Sequence, residues 1–81
     1  MNSYIATFYS HFGAMSYFKA LKKQGVKAKP MPVPRKISSS CGTCIQYVHT
    51  VPVFLSDLEL EHIYIETTQG FQPCPSRQFF E

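Results

Sequence analysis

Among the 81 residues, the stretch Cys41-Gly-Thr-Cys44 holds the side chains best suited to chemistry. A Cys-X-X-Cys spacing brings two sulfurs close enough to form a disulfide, to bind a soft metal together, or to pass a sulfur atom from one to the other. Gly42 allows the chain to turn sharply, and Ser38 to Ser40 form a loop whose amides and hydroxyls are free to bind. Arg35 and Lys36 would favour a thiolate if that loop folds back, and the thiolate is the attacking form of cysteine. The expectation is an exposed nucleophile at Cys41, supported by Gly42, Ser40, Arg35 and Lys36. The competing reading is an incidental pair, with Cys41 in a loop and Cys44 pointing into the core at the start of a strand.

A structural zinc site needs four ligands, and one Cys-X-X-Cys with Cys74 and scattered histidines lacks the usual second pair. No metal and no cofactor are therefore expected, although two copies of the chain could assemble four thiolates. A thioredoxin-type site is disfavoured because the motif there opens a long helix, whereas strand-like Ile45-Gln-Tyr-Val48 follows here. Cys74, held extended between Pro73 and Pro75, reads as an edge-strand residue or as a resolving partner for Cys41. His11, His49 and His62 are far apart in sequence, and His49 would serve as proton acceptor only if its strand pairs near the cysteine loop.

These side chains must be positioned by a small set of elements. Tyr4 to Tyr9 reads as a buried first strand. Ser10 caps a helix from His11 to Gln24, whose apolar Ala14, Met15, Phe18 and Leu21 recur at helical spacing, and Gly25 stops it. Val26 to Pro34 alternates like a strand, yet its three prolines confine it to a sheet edge or a polyproline-like segment. Arg35 to Ser40 is a loop and Ile45 to His49 a short strand, with Val51 to Phe54 a connection. Leu58 to Ile65 is ambiguous, since its leucines alternate like a strand while Leu55, Leu58 and Ile65 could share a helical face; Ser56 and Glu59 fit a capping box, which tips the reading to a second helix over residues 56–69, ended by Gly70. Phe71 to Phe80 would return as a final strand. The order is that of an α+β, ferredoxin-like βαββαβ sandwich, an antiparallel sheet with two helices on one face.

So short a chain makes a single domain, residues 1–81, because neither half alone could bury enough apolar surface. Hydrophobic residues at 44% and charged residues at 16% are those of a globular protein. No signal-like or membrane-spanning run is present, and an odd count of three cysteines disfavours a disulfide framework, so a cytoplasmic, membrane-free protein is expected. Lys19, Lys22, Lys23, Lys27, Lys29, Arg35 and Lys36 precede residue 37, while Asp57, Glu59, Glu61, Glu66 and Glu81 follow it. Such a basic half suits an acidic protein partner; nucleic acid is disfavoured because no nucleic-acid fingerprint accompanies the lysines.

The start Tyr4-Ile-Ala-Thr-Phe-Tyr-Ser-His-Phe-Gly-Ala14, the basic helix ending in Gly25, Met31-Pro-Val-Pro-Arg35 and Ser38-Ser-Ser-Cys-Gly42 together resemble the selenium/sulfur carrier protein-like family of small bacterial proteins. Met31 to Cys44 is the most specific part of the resemblance, whereas Val48 to Phe54 and Cys74 depart from it. The resemblance implies a ferredoxin-like domain whose Cys41 carries sulfur or selenium, with Cys44 an accessory or resolving thiol. Cys41 would hold its cargo as a persulfide or selenosulfide. The donor would be a cysteine desulfurase or selenocysteine lyase, and an acceptor protein would take the atom on. A carrier rather than a turnover enzyme is thus expected. The alternatives are a dithiol redox protein cycling between Cys41 and Cys44, and an interaction module that acts through its basic helix.

Overall fold

The computed structural model describes residues 1–37, 39–53 and 59–74. Its elements run β1 (Asn2–Phe8), α1 (His11–Lys23), β2 (Ala28–Pro32), β3 (Thr43–His49), β4 (Leu60–Thr67) and β5 (Gly70–Pro73). The five strands form one antiparallel sheet in the order β2-β3-β1-β4-β5.

Alternation along β1 sends Tyr4, Ala6 and Phe8 toward α1, where they pack with Ala14, Tyr17, Leu21, Ile45, Tyr47, Leu60 and Ile63. Helix α1 begins as its sequence predicts: the Ser10 hydroxyl accepts the Gly13 N–H at 3.1 Å. It ends in a Schellman arrangement, with Gly25 N–H donating to Lys22 C=O and Val26 N–H to Leu21 C=O, both at 3.0 Å. The φ of +77° at Gly25 makes glycine the fitting residue there. Lys22 and Lys23 occupy the last turn, next to the negative end of the helix dipole.

The opposite face of the sheet is not bare. Ile5, Ile37 and Cys44 form a second buried cluster, with Met31, Val33, Tyr64 and Phe71 packed around it. Ile37 reaches this face because its N–H closes a turn onto Pro34 C=O at 3.0 Å, so the loop after β2 folds beneath the sheet.

Proline is tolerated in β2 because of register. Val48 N–H donates to Lys27 C=O and Val33 N–H to Gly42 C=O, so odd-numbered residues face β3. Pro30 and Pro32 therefore turn their donorless nitrogens to the open edge, where no ladder bond is lost and a foreign strand finds fewer donors.

Two expectations about the second half need correction. The helix expected over 56–69 is not formed where it is described: residues 60–67 are strand β4, paired with β1 and β5. Residues 56–58 lie outside the described residues. Of the final strand expected over Phe71 to Phe80, Phe71 to Pro73 fall in β5 (Gly70–Pro73), Cys74 does not continue it, and the residues from Pro75 onward lie outside the described residues. The fold is thus α+β with one helix among the described residues, and the two-helix ferredoxin-like sandwich is not reproduced.

Tyrosines support the start of the connection from β3 to β4. Tyr17 Oη donates to Val53 C=O at 2.7 Å, Val53 N–H donates to Tyr47 Oη at 3.1 Å, and Tyr4 stacks on Tyr47 with centroids 5.2 Å apart. Burial pushes the Tyr17 and Tyr47 phenols well above the ordinary tyrosine range, so both stay neutral donors and acceptors. No helix among the described residues is long and apolar enough to cross a membrane.

Candidate functional site

Because β1 and β3 are antiparallel, with Thr7 opposite Cys44, the end of β1, the first turn of α1 and the start of β3 share one end of the sheet. Cys41 lies at that end, separated from β3 only by Gly42. The φ of +75° at Gly42 fits glycine and turns the chain into the strand, while open space lies where a Cβ would be.

The segment leading to Cys41 is pinned by side chains that sequence reading does not pair. Ser39 Oγ donates to Phe8 C=O at 3.4 Å. Ser40 donates twice to Glu61: its N–H to Oε1 at 3.2 Å and its hydroxyl to Oε2 at 3.1 Å. Beyond the cysteine, Gly42 C=O accepts from Val33 N–H at 3.3 Å.

Cys41 is half-buried. Its sulfur leans on the helix-side core, and its S–H donates to Thr43 C=O at 3.2 Å. Cys44, three residues on, is 0% exposed and packs in the opposite cluster with Ile5 and Ile37. Its S–H is directed at Pro32 C=O, 3.7 Å away. Burial, and secondarily the Cys41 sulfur, push the Cys44 thiol up to about 11. The two sulfurs of the motif are thus unequal: Cys41 is partly open to solvent, and Cys44 is a neutral core side chain at physiological pH. All three cysteines are free thiols.

Cys74 follows β5, its N–H donating to Ile63 C=O at 2.8 Å and its side chain packing against the helix-side core. Burial raises its thiol as well. Arg35 and Lys36 stand exposed at the corner of the turn closed by Ile37.

The proton-acceptor reading of His49 is overturned. His49 ends β3, and six residues of extended chain separate it from Thr43 by about 20 Å, too far to reach Cys41. Its Nδ1 instead lies 3.1 Å from Val51 C=O. His11 and His62 are exposed. Among the described residues no three His, Cys, Asp or Glu side chains gather as a metal site.

Sequence reading missed Glu59 and Glu61. Glu59, assigned there to cap a second helix with Ser56, accepts instead from the hydroxyl of Ser10, while its backbone C=O accepts Tyr9 N–H at 2.8 Å. Ser56 lies outside the described residues. The alternation of Leu58-Glu-Leu-Glu was the one available signal that this stretch is a strand.

The lysines gather elsewhere. Lys22, Lys27 and Lys29 line an open cleft of about 590 Å³ with Val26, Ala28, Gln46 and Val48, at the C-terminal end of α1. The thirteen residues of α1 span about 20 Å, which puts this cleft at the far end of the molecule from the thiol.

Comparison with family models gives a match to the family described as Putative Se/S carrier protein-like, over residues 3–67, which runs from the second residue of β1 to the end of β4 and includes every residue of the Cys41 site. Comparison with curated proteins and with solved structures gives no match.

Proposed function

Since the chain belongs to the Se/S carrier protein-like family, we propose that it is a single-thiol carrier in which Cys41 holds a terminal sulfur or selenium atom. The observation that carries this reading is the inequality of the two thiols. Cys41 is partly solvent-reachable at one end of the sheet, and Cys44 is sealed on the other face. A dithiol redox protein needs both sulfurs on one side, so the arrangement favours a carrier over the redox alternative.

Loading is a displacement at sulfur. The Cys41 thiolate attacks the terminal sulfur of a donor persulfide, R–S–SH; the donor S–S bond breaks, and R–S⁻ departs with the electron pair and is protonated. The new S–S bond leaves Cys41–S–SH, and no external oxidant or reductant is needed. An acceptor thiolate repeats the displacement on the terminal atom and returns Cys41 as thiolate. A selenium cargo follows the same steps.

Donor and acceptor are proteins with a reactive cysteine or selenium-bearing centre, such as a cysteine desulfurase or selenocysteine lyase. The lysine cleft suits an acidic surface, but it can steer a partner only from about 20 Å away along α1. At the same end of the sheet as the thiol, Tyr9 and Phe12 are 60% and 77% exposed and offer an uncharged contact.

The reading is tested by mixing reduced protein with a desulfurase and cysteine, then measuring intact mass. A one-sulfur adduct is expected on the wild type and on Cys44→Ser, and none on Cys41→Ser. A wild type that takes up no sulfur at Cys41 overturns the proposal. Parallel reactions with a selenocysteine lyase and selenocysteine identify the preferred cargo.

A further inference from the structure

We infer that Glu61 is the positioning residue of the Cys41 site, a role that rests on the carrier reading for its purpose and on the following geometry for its existence. In the β1–β4 ladder Thr7 pairs with His62 and Phe8 with Leu60, so Glu61 is the extra residue of a β-bulge and has no opposite number in β1. A bulge bends its strand and re-aims one side chain. Here the re-aimed carboxylate receives both donors of Ser40, the residue immediately before the thiol, at 3.2 and 3.1 Å.

The same irregularity anchors the neighbouring residue, because Phe8 C=O accepts from Ser39 Oγ. The bulge therefore fixes two consecutive residues on the N-terminal side of Cys41, and Val33 fixes Gly42 on the other. Without the Glu61 grip, the segment would turn about a glycine at φ +75° with only single hydrogen bonds to hold it.

A carboxylate suits this task, because two charge-assisted bonds to one serine set direction as well as distance. Glu61 acts through Ser40, the residue it holds, and not as a catalytic group. A carrier that meets two different enzymes needs its sulfur at a repeatable place, since a misplacement of about 1 Å in a reacting group costs on the order of a hundredfold in rate.

The test uses the full chain and the variants Glu61→Ala, Glu61→Gln and Ser40→Ala, read in two ways. Desulfurase-dependent loading of Cys41, followed by intact mass, should slow about tenfold in Glu61→Ala, the loss expected for weak charge-assisted bonds at a solvent-facing site. Glu61→Gln should stay within about twofold of wild type, because its amide oxygen still accepts Ser40 N–H and its NH₂ can donate to the hydroxyl. The double variant Glu61→Ala/Ser40→Ala should load no more slowly than Glu61→Ala alone, since the two residues act as one unit.

The second readout needs no sulfur transfer. A nitroxide attached to Cys41 in a Cys74→Ser background should give an immobilised spectrum, become mobile with Glu61→Ala and return to the immobilised form with Glu61→Gln. An unchanged spectrum in Glu61→Ala, or loading at the wild-type rate, overturns the role of Glu61. A wild type that never loads overturns the carrier reading, while the spectra still decide the positioning role.

Discussion

Cys41 and Cys44, with only two residues between them, lean on opposite faces of one sheet: Cys41 on the core beneath α1, Cys44 on the cluster closed by Ile37. The chain achieves this by turning at Gly42 before β3 begins, after which strand alternation sends Ile45 toward α1 and Cys44 away. A motif that reads as a pair is, in three dimensions, one accessible thiol and one core residue.

Selective alkylation should expose this difference. At neutral pH iodoacetamide should label Cys41 in the folded protein and leave Cys44 unmodified, because Cys44 is both 0% exposed and protonated. In denaturant both should react at similar rates. Peptide mapping after a short pulse makes the measurement, and prompt labelling of native Cys44 would refute the assignment.

Alkaline pH should destabilise the protein through the same residue. The Cys44 thiol rises from an ordinary value near 9 to about 11 on folding, so between those values the unfolded chain has lost a proton that the native state keeps. Unfolding then releases a proton, and stability falls as pH increases through this window. Below about pH 9 both states are protonated and Cys44 contributes no slope. Urea unfolding across the range should show this decline, flattened in its lower part in Cys44→Ala; the buried Tyr17 and Tyr47 phenols add a decline of the same sign at higher pH.

Much of this arrangement is legible in the sequence, and the exceptions have physical causes. Ser10, Gly25 and the Ala14, Leu21 spacing specify α1 because capping and periodicity are local signals. The prolines of β2 mark an edge strand because a missing donor is likewise a local property. By contrast Ser56 and Glu59 suggest a helix start, yet the Glu59 carboxylate meets Ser10, forty-nine residues away in sequence. The alternation of Leu60, Ile63 and Ile65 is broken by one residue at the bulge, which disguises a strand as an ambiguous run. Glu61 escapes notice for the same reason: its role depends on a register shift in a pairing of distant segments. Cys44 reads either as half of a reactive pair or as a core residue at the start of a strand, and the structure gives it the second place; spacing alone carries no information about which face of a sheet a side chain will take.

Gly13 should prove intolerant of a side chain although its helix would welcome one. A Cβ there would meet Glu59 Cβ at 3.0 Å and Glu59 N at 3.3 Å, and the backbone atom cannot swing aside. Gly13→Ala gains about 1 kcal/mol of helix propensity, and overpacking costs about 1–3 kcal/mol. A net loss of about 1 kcal/mol is expected, read as a lower urea midpoint with unchanged slope. A more stable variant would show that the start of β4 is free to move away from α1.

Burial of Cys44 should also protect the cargo. In a loaded carrier, a second accessible thiol could attack the inner sulfur of Cys41–S–SH, form a Cys41–Cys44 disulfide and expel hydrogen sulfide, which discards the atom being carried. Cys44 is kept from this by its place on the other face, under Ile37, which is 6% exposed. Ile37→Ala removes that cover at a cost of about 2–4 kcal/mol. Persulfide-loaded Ile37→Ala should therefore release sulfide faster than loaded wild type and accumulate the internal disulfide by intact mass, while Ile37→Ala/Cys44→Ser, equally uncovered, should retain its sulfur as wild type does. Equal sulfide release from the single and double variants would show that the lost cargo leaves by a route that does not involve Cys44.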